Sequence, residues 1–230
     1  MITLSIIVPA FNEEATIAEI LGQVNAQRID GVTLDVIVVD DGSTDRTPDI
    51  LQANPALYTK LITMRPNGGK GAAVKAGLAA AGGDYVLFQD ADLEYSPSEY
   101  AKLLKPVSAF GADLVMSSRF AAPEFTRVAY FWNKVGNRLI TLFFNILNNT
   151  TFTDIYSCYM LFRRDLVPAA SLTCTGWDQH AEILSIARRG ARNIYEVPIS
   201  YHGRTFAEGK KIRPHHVLGV FWTILVRRFT

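Results

Sequence analysis

The residues of this chain best equipped for chemistry are acidic and stand in short pairs. Asp90-Ala91-Asp92 sets two carboxylates one residue apart, and Asp40-Asp41 supplies a second pair upstream. A hard divalent cation takes oxygen ligands. Mg2+ in particular is held by one or two carboxylates, with substrate phosphates and water filling the remaining positions. Asp90 and Asp92 therefore make a sufficient protein contribution to a metal site once a diphosphate is present, and neither histidine nor cysteine is needed. One acid of the Asp40-Asp41 pair can accept hydrogen bonds from a base or ribose, as a strand-end acid does in dinucleotide sites. Glu94 extends the acidic run toward a bound substrate or a metal-bound water, or is a solvated loop residue. His180, His202, His215 and His216 show no metal-ligand spacing.

Gly68-Gly69-Lys70-Gly71 precedes a helical pattern but lacks the Gly-x-x-x-x-Gly-Lys-Ser/Thr spacing of a phosphate loop. Two readings stay open. Backbone amides at the helix start approach a nucleotide with Lys70 as counter-charge, or the glycines make a simple turn. After the first strand the chain reads Pro9-Ala10-Phe11-Asn12-Glu13-Glu14. No Gly-x-Gly-x-x-Gly is found there, which counts against a nicotinamide enzyme.

The elements that must position these groups alternate. Strands are expected over residues 4–8, 34–39, 61–64, 84–89 and 113–116, with helices over 13–29, 47–52, 71–81 and 97–109. Asn12 is the expected cap of the first helix, and Thr47-Pro48 the cap and first turn of the second. The strands are apolar throughout, as strands covered on both faces are. The pattern is α/β, a mostly parallel central sheet flanked by helices. Such sheets bind ligands beyond the carboxyl ends of their strands, where Asp40-Asp41, Asp90-Ala91-Asp92 and Ser117-Ser118-Arg119 all fall. The second half adds helices over 127–148, 179–189 and 216–228 and strands over 158–162 and 193–197. Residues 1–230 read as a single domain. Its first half, 1–120, carries the strand-end acids suited to a nucleotide, its second half is 121–212, and a C-terminal helix follows over 213–230.

Composition narrows the classes. A length of 230 residues, 49% of them apolar, supports a sizeable core. A net charge of +1 gives no signature of a nucleic-acid binder. Cys158 and Cys174 are two thiols that could pair, or they are core thiols as in an intracellular chain, the preferred reading. The N-terminus lacks a basic region before its apolar run and reads as a strand, not a signal peptide. The run from Val217 to Val226 is too short to span a membrane. Its terminal Arg227-Arg228 suits an anionic membrane surface, or the helix packs on the core or in an oligomer interface. The aromatic stripe around Tyr130, Phe131, Trp132, Phe143 and Phe144 reads as core, or as a surface offered to lipid.

Four signatures in order give the chain a family resemblance: Pro9 to Glu14, Val39-Asp40-Asp41-Gly42-Ser43-Thr44-Asp45, Asn67 to Gly71, and Asp90-Ala91-Asp92. The chain resembles the family 2 glycosyltransferases, which have the GT-A fold, a Rossmann-like sheet. A narrower set resembles the polyprenyl-phosphate branch, which includes dolichyl-phosphate mannosyl- and glucosyltransferases. That set comprises Asp90 to Tyr95, Ser118-Arg119-Phe120, Asn133, Asn137-Arg138, Asp154, Val197 to Tyr201, Gly203-Arg204 and Glu208 to Ile212. Many members of that branch carry membrane-spanning helices after the catalytic domain; this chain resembles the short, peripheral type.

The resemblance implies inverting transfer of one sugar from UDP-glucose, or as second choice GDP-mannose, to a polyprenyl phosphate, with Mg2+ or Mn2+ as cofactor. It implies a cytoplasmic location, peripheral on the membrane face, and leaves a homo-oligomer open. Pro9, Phe11, Glu13 and Asp41 would line the base and ribose pocket, and Asp90 and Asp92 the metal and diphosphate. Lys70 would face the donor. Arg119 would meet the acceptor phosphate, Arg204 and Lys211 would clamp phosphates, and Asp154 and Glu182 would face the active site. Two stretches depart from the family pattern: Asp154 to Tyr159, with Cys and Tyr near an expected glycine, and Thr175 to Glu182, with Gln179-His180. A lipid phosphate is already anionic, its second pKa being about 6. It needs cations such as Arg119 and Arg204, helped by Arg127 and Arg138. A saccharide hydroxyl, the rival acceptor in envelope polysaccharide synthesis, would need a carboxylate base such as Asp154.

Overall fold

The computed structural model describes residues 1–122, 124, 127, 131–203 and 216–230. The expected phosphate clamps Arg204 and Lys211, along with Tyr130 and His215, lie outside the described residues.

The first half winds as its pattern requires. β1 (Ile2–Ala10), β2 (Val32–Asp40), β3 (Lys60–Thr63) and β4 (Tyr85–Phe88) pair in parallel. Apolar side chains on both sides of β1 are buried, because helices cover both faces. The helices between these strands are α1 (Ile17–Asn25), α2 (Thr47–Ala53) and α3 (Lys70–Ala80). A 3-10 turn at Pro97–Glu99 leads into α4 (Tyr100–Phe110), and β5 (Leu114–Ser118) follows.

The second half supplies α5 (Phe131–Asn148), β6 (Met160–Arg163), α6 (Gln179–Gly190), β7 (Ile194–Pro198) and α7 (His216–Phe229). The sheet has seven strands in the order β3-β2-β1-β4-β6-β5-β7. β6 is antiparallel to both β4 and β5, while β5 and β7 are parallel. This is the mostly parallel sheet expected, with one reversed strand set into its middle.

Two expected caps work differently. α1 begins at Ile17, not at residue 13, and Thr16 is its capping position. Asn12 takes a left-handed backbone, φ 55°, and its Oδ1 accepts from the Thr44 amide at 2.8 Å. Thr47 lies inside the first turn of α2, behind Arg46, and its hydroxyl accepts from the Glu13 amide at 2.9 Å. Both side chains lace the loop after β1 to the loop after β2 in place of capping their own helices. α5 begins at Phe131, and the start expected near 127 falls among residues only partly described.

α3 lies so close to β1 that Gly77 has no room for a side chain. A Cβ there would sit 2.4 Å from the Ile7 Cγ2 atom.

α7 is fixed by a buried charge. The Glu182 carboxylate, fully buried in α6, accepts from the Arg227 guanidinium of α7. It also accepts from the Thr173 amide (3.0 Å), the Thr173 hydroxyl (2.8 Å) and the Cys174 amide (3.0 Å). α5 and α7 pack together, with Phe143 and Phe221 in edge contact at 5.0 Å. Each is amphipathic in an unusual sense: Ile140, Phe144, Val220 and Ile224 are buried, yet Phe131, Trp132, Leu142, Ile146, Leu218, Trp222 and Phe229 are exposed. The aromatic stripe is therefore core on one face and exposed surface on the other. Among the described residues no helix is long and apolar enough to cross a membrane.

Gly77→Ala is expected to cost about 1–3 kcal/mol by overpacking, read as a lower urea midpoint at unchanged m. Glu182→Gln is expected to cost about 1–3 kcal/mol at pH 7 through weakened charge-assisted bonds. Burial alone would raise the Glu182 pKa, but its bonds to Thr173, Arg227 and Cys174 hold it below the ordinary 4.5. The contribution of its charge is thus fully present above about pH 4.5 and lost as pH falls through the folded value. The gap between wild type and variant, measured by urea unfolding at pH 7 and pH 3, should narrow at the lower pH.

Candidate active site

The carboxyl ends of β1, β2 and β4 open onto one edge, and the acidic pairs lie there. Asp40 and Asp41 are both buried. Asp40 Oδ1 accepts from the Ser43 amide at 3.0 Å, and its buried Oδ2 has no partner among the described residues. The Asp41 carboxylate accepts from the amides of Gly68 and Gly69, each at 2.8 Å. Asp41 thus anchors the glycine turn ahead of α3, and Asp40 is the acid with an oxygen left over.

The turn itself is packed tightly. Gly69 has φ +88°, and a Cβ on it would stand 2.8 Å from the Thr175 carbonyl. The Gly71 amide donates to that same carbonyl at 2.8 Å. The Gly68, Gly69 and Gly71 amides are thus bonded within the protein and are not offered to a phosphate. The turn's gift to the site is Lys70, whose ammonium lies 2.5 Å from Asp90 Oδ1 and 5.2 Å from the centre of the Trp177 ring.

Asp90 and Asp92 follow β4. Burial would raise the Asp90 pKa, but the charge and hydrogen bond of Lys70, with a bond from the Cys158 thiol, hold it below the usual carboxylate range. Asp92 Oδ1 accepts from the Glu94 amide at 3.1 Å. The donor set suits a hard divalent ion: both carboxylates present oxygen, and the position already attracts a cation in Lys70. No group of three or more His, Cys, Asp and Glu converges among the described residues. Further ligands for an ion here would come from outside the protein, as substrate phosphates do.

Gln89, the residue before Asp90, sets this loop in place and was not singled out by sequence. Its fully buried amide accepts from the hydroxyls of Tyr100 and Tyr159, both at 2.6 Å. It donates to the carbonyls of Asp90 (2.9 Å) and Tyr95 (3.2 Å). A polar amide closing an apolar strand is the signal that could have found it.

Across the edge stands Arg119, just after β5. Its Nε donates to Asp154 Oδ2 at 2.7 Å and its Nη2 to Asp154 Oδ1 at 2.9 Å, a bidentate pair with Asp154 fully buried. The guanidinium carbon lies 5.1 Å from the centre of the Tyr201 ring, and the Tyr201 hydroxyl donates to Glu94 at 2.7 Å. Glu94 is therefore tied to Tyr201, beside Arg119. Asp154 also accepts from the Tyr156 amide at 3.2 Å, and the Tyr156 ring packs on His180 at 5.4 Å.

The expected residues thus fall into three sets. Asp90 and Lys70 meet directly, with Asp92 beside them, and Arg119 meets Asp154. Glu13 and Asp41 lie on the laced loops after β1 and β2, with Pro9 half-buried in β1 and Phe11 largely exposed. Glu182 is not brought to either cluster, because its carboxylate holds α7. Cys158 and Cys174 are both free thiols.

Comparison with known proteins places these features. A model of glycosyl transferase family 2 matches residues 5–169. The chain is 34% identical over 204 residues to the low-salt glycan biosynthesis hexosyltransferase Agl6 of Haloferax volcanii, covering 88% of this chain and 48% of that protein. It is 31% identical over 228 residues to glycosyltransferase AglJ of the same organism, covering 97% and 71%. It is 29% identical over 210 residues to an undecaprenyl-phosphate 4-deoxy-4-formamido-L-arabinose transferase of Pseudomonas aeruginosa, covering 90% and 59%. This chain spans about half the length of the first of these relatives. Among solved structures, glucosyl-3-phosphoglycerate synthase of Mycobacterium tuberculosis, in complex with Mn2+, UDP and phosphoglyceric acid, superposes with a TM-score of 0.72 at 26% identity, covering 99% of this chain and 79% of that one. With an acidic motif at the end of β4, laced loops after β1 and β2 and this sheet order, the chain belongs to glycosyl transferase family 2 and has the GT-A fold.

Proposed function

We propose that this chain transfers a single hexose, with inversion, from a nucleotide diphosphate sugar to a polyprenyl phosphate. Glucose from UDP-glucose is the first choice and mannose from GDP-mannose the second. The observation that carries the acceptor assignment is the state of the carboxylates. A hydroxyl acceptor needs a base poised to take its proton. Asp154 is spent on Arg119, and Glu182 on Arg227 and the Thr173 region. A phosphate acceptor needs no base. It needs a guanidinium, and Arg119 uses one edge on Asp154 while the fork carries further N–H donors. The relative named for undecaprenyl phosphate supports the same reading.

On the donor side, Asp90 and Asp92 would hold Mg2+ or Mn2+. The ion would offset the negative charge that grows on the departing diphosphate. Lys70 stands where it adds a second positive charge to that oxygen cluster. Asp40 Oδ2 and the loop of Pro9, Phe11 and Glu13 would receive the base and ribose. Arg204 and Lys211 would close on the phosphates, as the family resemblance implies.

The exposed apolar faces of α5 and α7 support a peripheral place on a membrane, on its cytoplasmic side. Neither helix carries an acid, and Lys134, Arg138 and Arg228 are exposed beside the apolar residues. An anionic bilayer surface complements both properties.

Donor turnover by the purified chain should be accelerated by polyprenyl phosphate and not by the corresponding polyprenol or by free saccharides. It should be lost with EDTA and restored by Mg2+ or Mn2+. Turnover accelerated by a saccharide and indifferent to the lipid phosphate would overturn the acceptor assignment. In sedimentation, the chain should bind phosphatidylglycerol vesicles better than phosphatidylcholine vesicles, and Trp132→Glu and Trp222→Glu should each weaken that binding severalfold. Equal binding by wild type and both variants would rule out this face.

A further inference from the structure

The segment after β7 passes beside Arg119 and is pinned at several points. The Ile199 amide donates to the Ser118 carbonyl at 3.0 Å, and the Ser200 amide donates to the buried carboxylate of Glu99 at 3.3 Å. Tyr201 follows. Its hydroxyl donates to Glu94 Oε2 at 2.7 Å, and the His202 amide donates to the Glu94 carbonyl at 3.2 Å. Glu94 belongs to the acidic loop, two residues beyond Asp92. The Tyr201 ring also packs on the buried Tyr95 ring, their centres 5.1 Å apart.

The same ring lies against Arg119. The guanidinium carbon is 5.1 Å from its centre, within the range of a cation–π contact. A guanidinium carries five N–H donors in one plane. Two of them are held by Asp154, at 2.7 and 2.9 Å. The pair with Asp154 fixes one edge of that plane, and the Tyr201 ring limits how it can pivot about that edge. Gly203 is what admits the ring. A Cβ on Gly203 would stand 2.6 Å from Tyr201 Cε1 and 2.8 Å from the Tyr201 hydroxyl oxygen. A hydroxyl tied to the acidic loop and a ring packed on Arg119 make Tyr201 a link between the two clusters.

We propose that Tyr201 is a positioning residue for the acceptor. Anchored by Glu94 and admitted by Gly203, it holds the Arg119 guanidinium in the orientation that presents its N–H donors beyond Asp154 to the acceptor phosphate. This rests on the reading of Arg119 as the group that grips a lipid phosphate. A guanidinium free to pivot on one edge still attracts phosphate, but it loses the fixed two-pronged geometry that makes the grip strong. Acceptor affinity should then fall while donor affinity does not.

The test measures KM of the full chain for undecaprenyl phosphate in detergent and for UDP-glucose, or GDP-mannose if wild type uses that donor, with Mn2+ throughout. Tyr201→Phe keeps the ring and loses its anchor, so the acceptor KM should rise about 3–10-fold, the span of one hydrogen bond. Tyr201→Leu loses the ring as well, and the rise should reach about 10–30-fold, the span of a desolvated cation–π contact. Gly203→Ala displaces the ring without altering it and should match Tyr201→Phe. In all three the donor KM and the Kd for UDP should stay as in wild type. In an Arg119→Lys background, where the fork is already gone, Tyr201→Phe should add nothing to the acceptor KM, the mark of two residues acting as one unit. Tyr201→Phe conserves the packing on Tyr95, so it carries the test if the leucine variant does not fold. An unchanged acceptor KM in Tyr201→Phe and Gly203→Ala would overturn the inference. So would UDP binding that weakens along with the acceptor's, or a Tyr201→Phe effect undiminished by Arg119→Lys. Failure of wild type to use the lipid phosphate, or an acceptor KM indifferent to Arg119→Lys, would instead overturn the functional reading on which the inference rests.

Discussion

The site depends on one reversed strand. β6 lies between β4 and β5 and runs against both. A parallel strand would deliver its C-terminal end to the ligand edge. β6 delivers the segment before it. Residues 153–159 therefore arrive beside the carboxyl ends of β4 and β5, which sets Cys158 against Asp90 and Asp154 against Arg119. The same insertion brings Tyr159 onto Gln89, where a saturated amide locks the start of the acidic loop. Without that reversal the Lys70–Asp90 and Arg119–Asp154 pairs would share a sheet but not an edge.

Around this edge the buried and partly buried acids are allotted to separate tasks. Asp41 fastens the glycine turn, Asp154 fastens Arg119, Glu182 fastens α7, and Glu196 accepts from the Thr153 amide and hydroxyl. A buried carboxylate is costly unless paired or hydrogen-bonded, so each of these is held by the contact that satisfies it. Asp90 differs in kind. Its partner is a lysine on a flexible stem, a compact cation that can yield to another. The other carboxylates are bound to backbone amides or arginine, while Asp90 meets a lysine.

The loops after β1 and β2 show a similar economy. Asn12 and Thr47, whose types suit helix caps, bond across to the facing loop. Glu14 joins them, accepting from the Arg46 amide at 3.0 Å. Two loops so laced are already ordered, which lowers the ordering cost for any ligand that binds there.

Much of this was legible in the residues. Apolar runs separated by helical periodicity require a covered, mostly parallel sheet, and the chemistry of such sheets lies at strand ends, so Asp40-Asp41, Asp90-Asp92 and Arg119 could be placed before any coordinates. Lys70 had two open readings in the sequence, a counter-charge to a nucleotide or part of a simple turn, and its pairing with Asp90 was not among them. What the sequence could not decide is which groups spend their valences on each other. Asp154 and Glu182 look alike on the page, yet one meets Arg119 and the other Arg227, because β6 and α7 arrive from distant parts of the chain. Gln89 reads as an ordinary strand end, and only its buried partners revealed it as saturated. Sequence patterns record local periodicity and residue chemistry. Hydrogen-bond satisfaction is a property of neighbours in space, and the tertiary structure alone decides it.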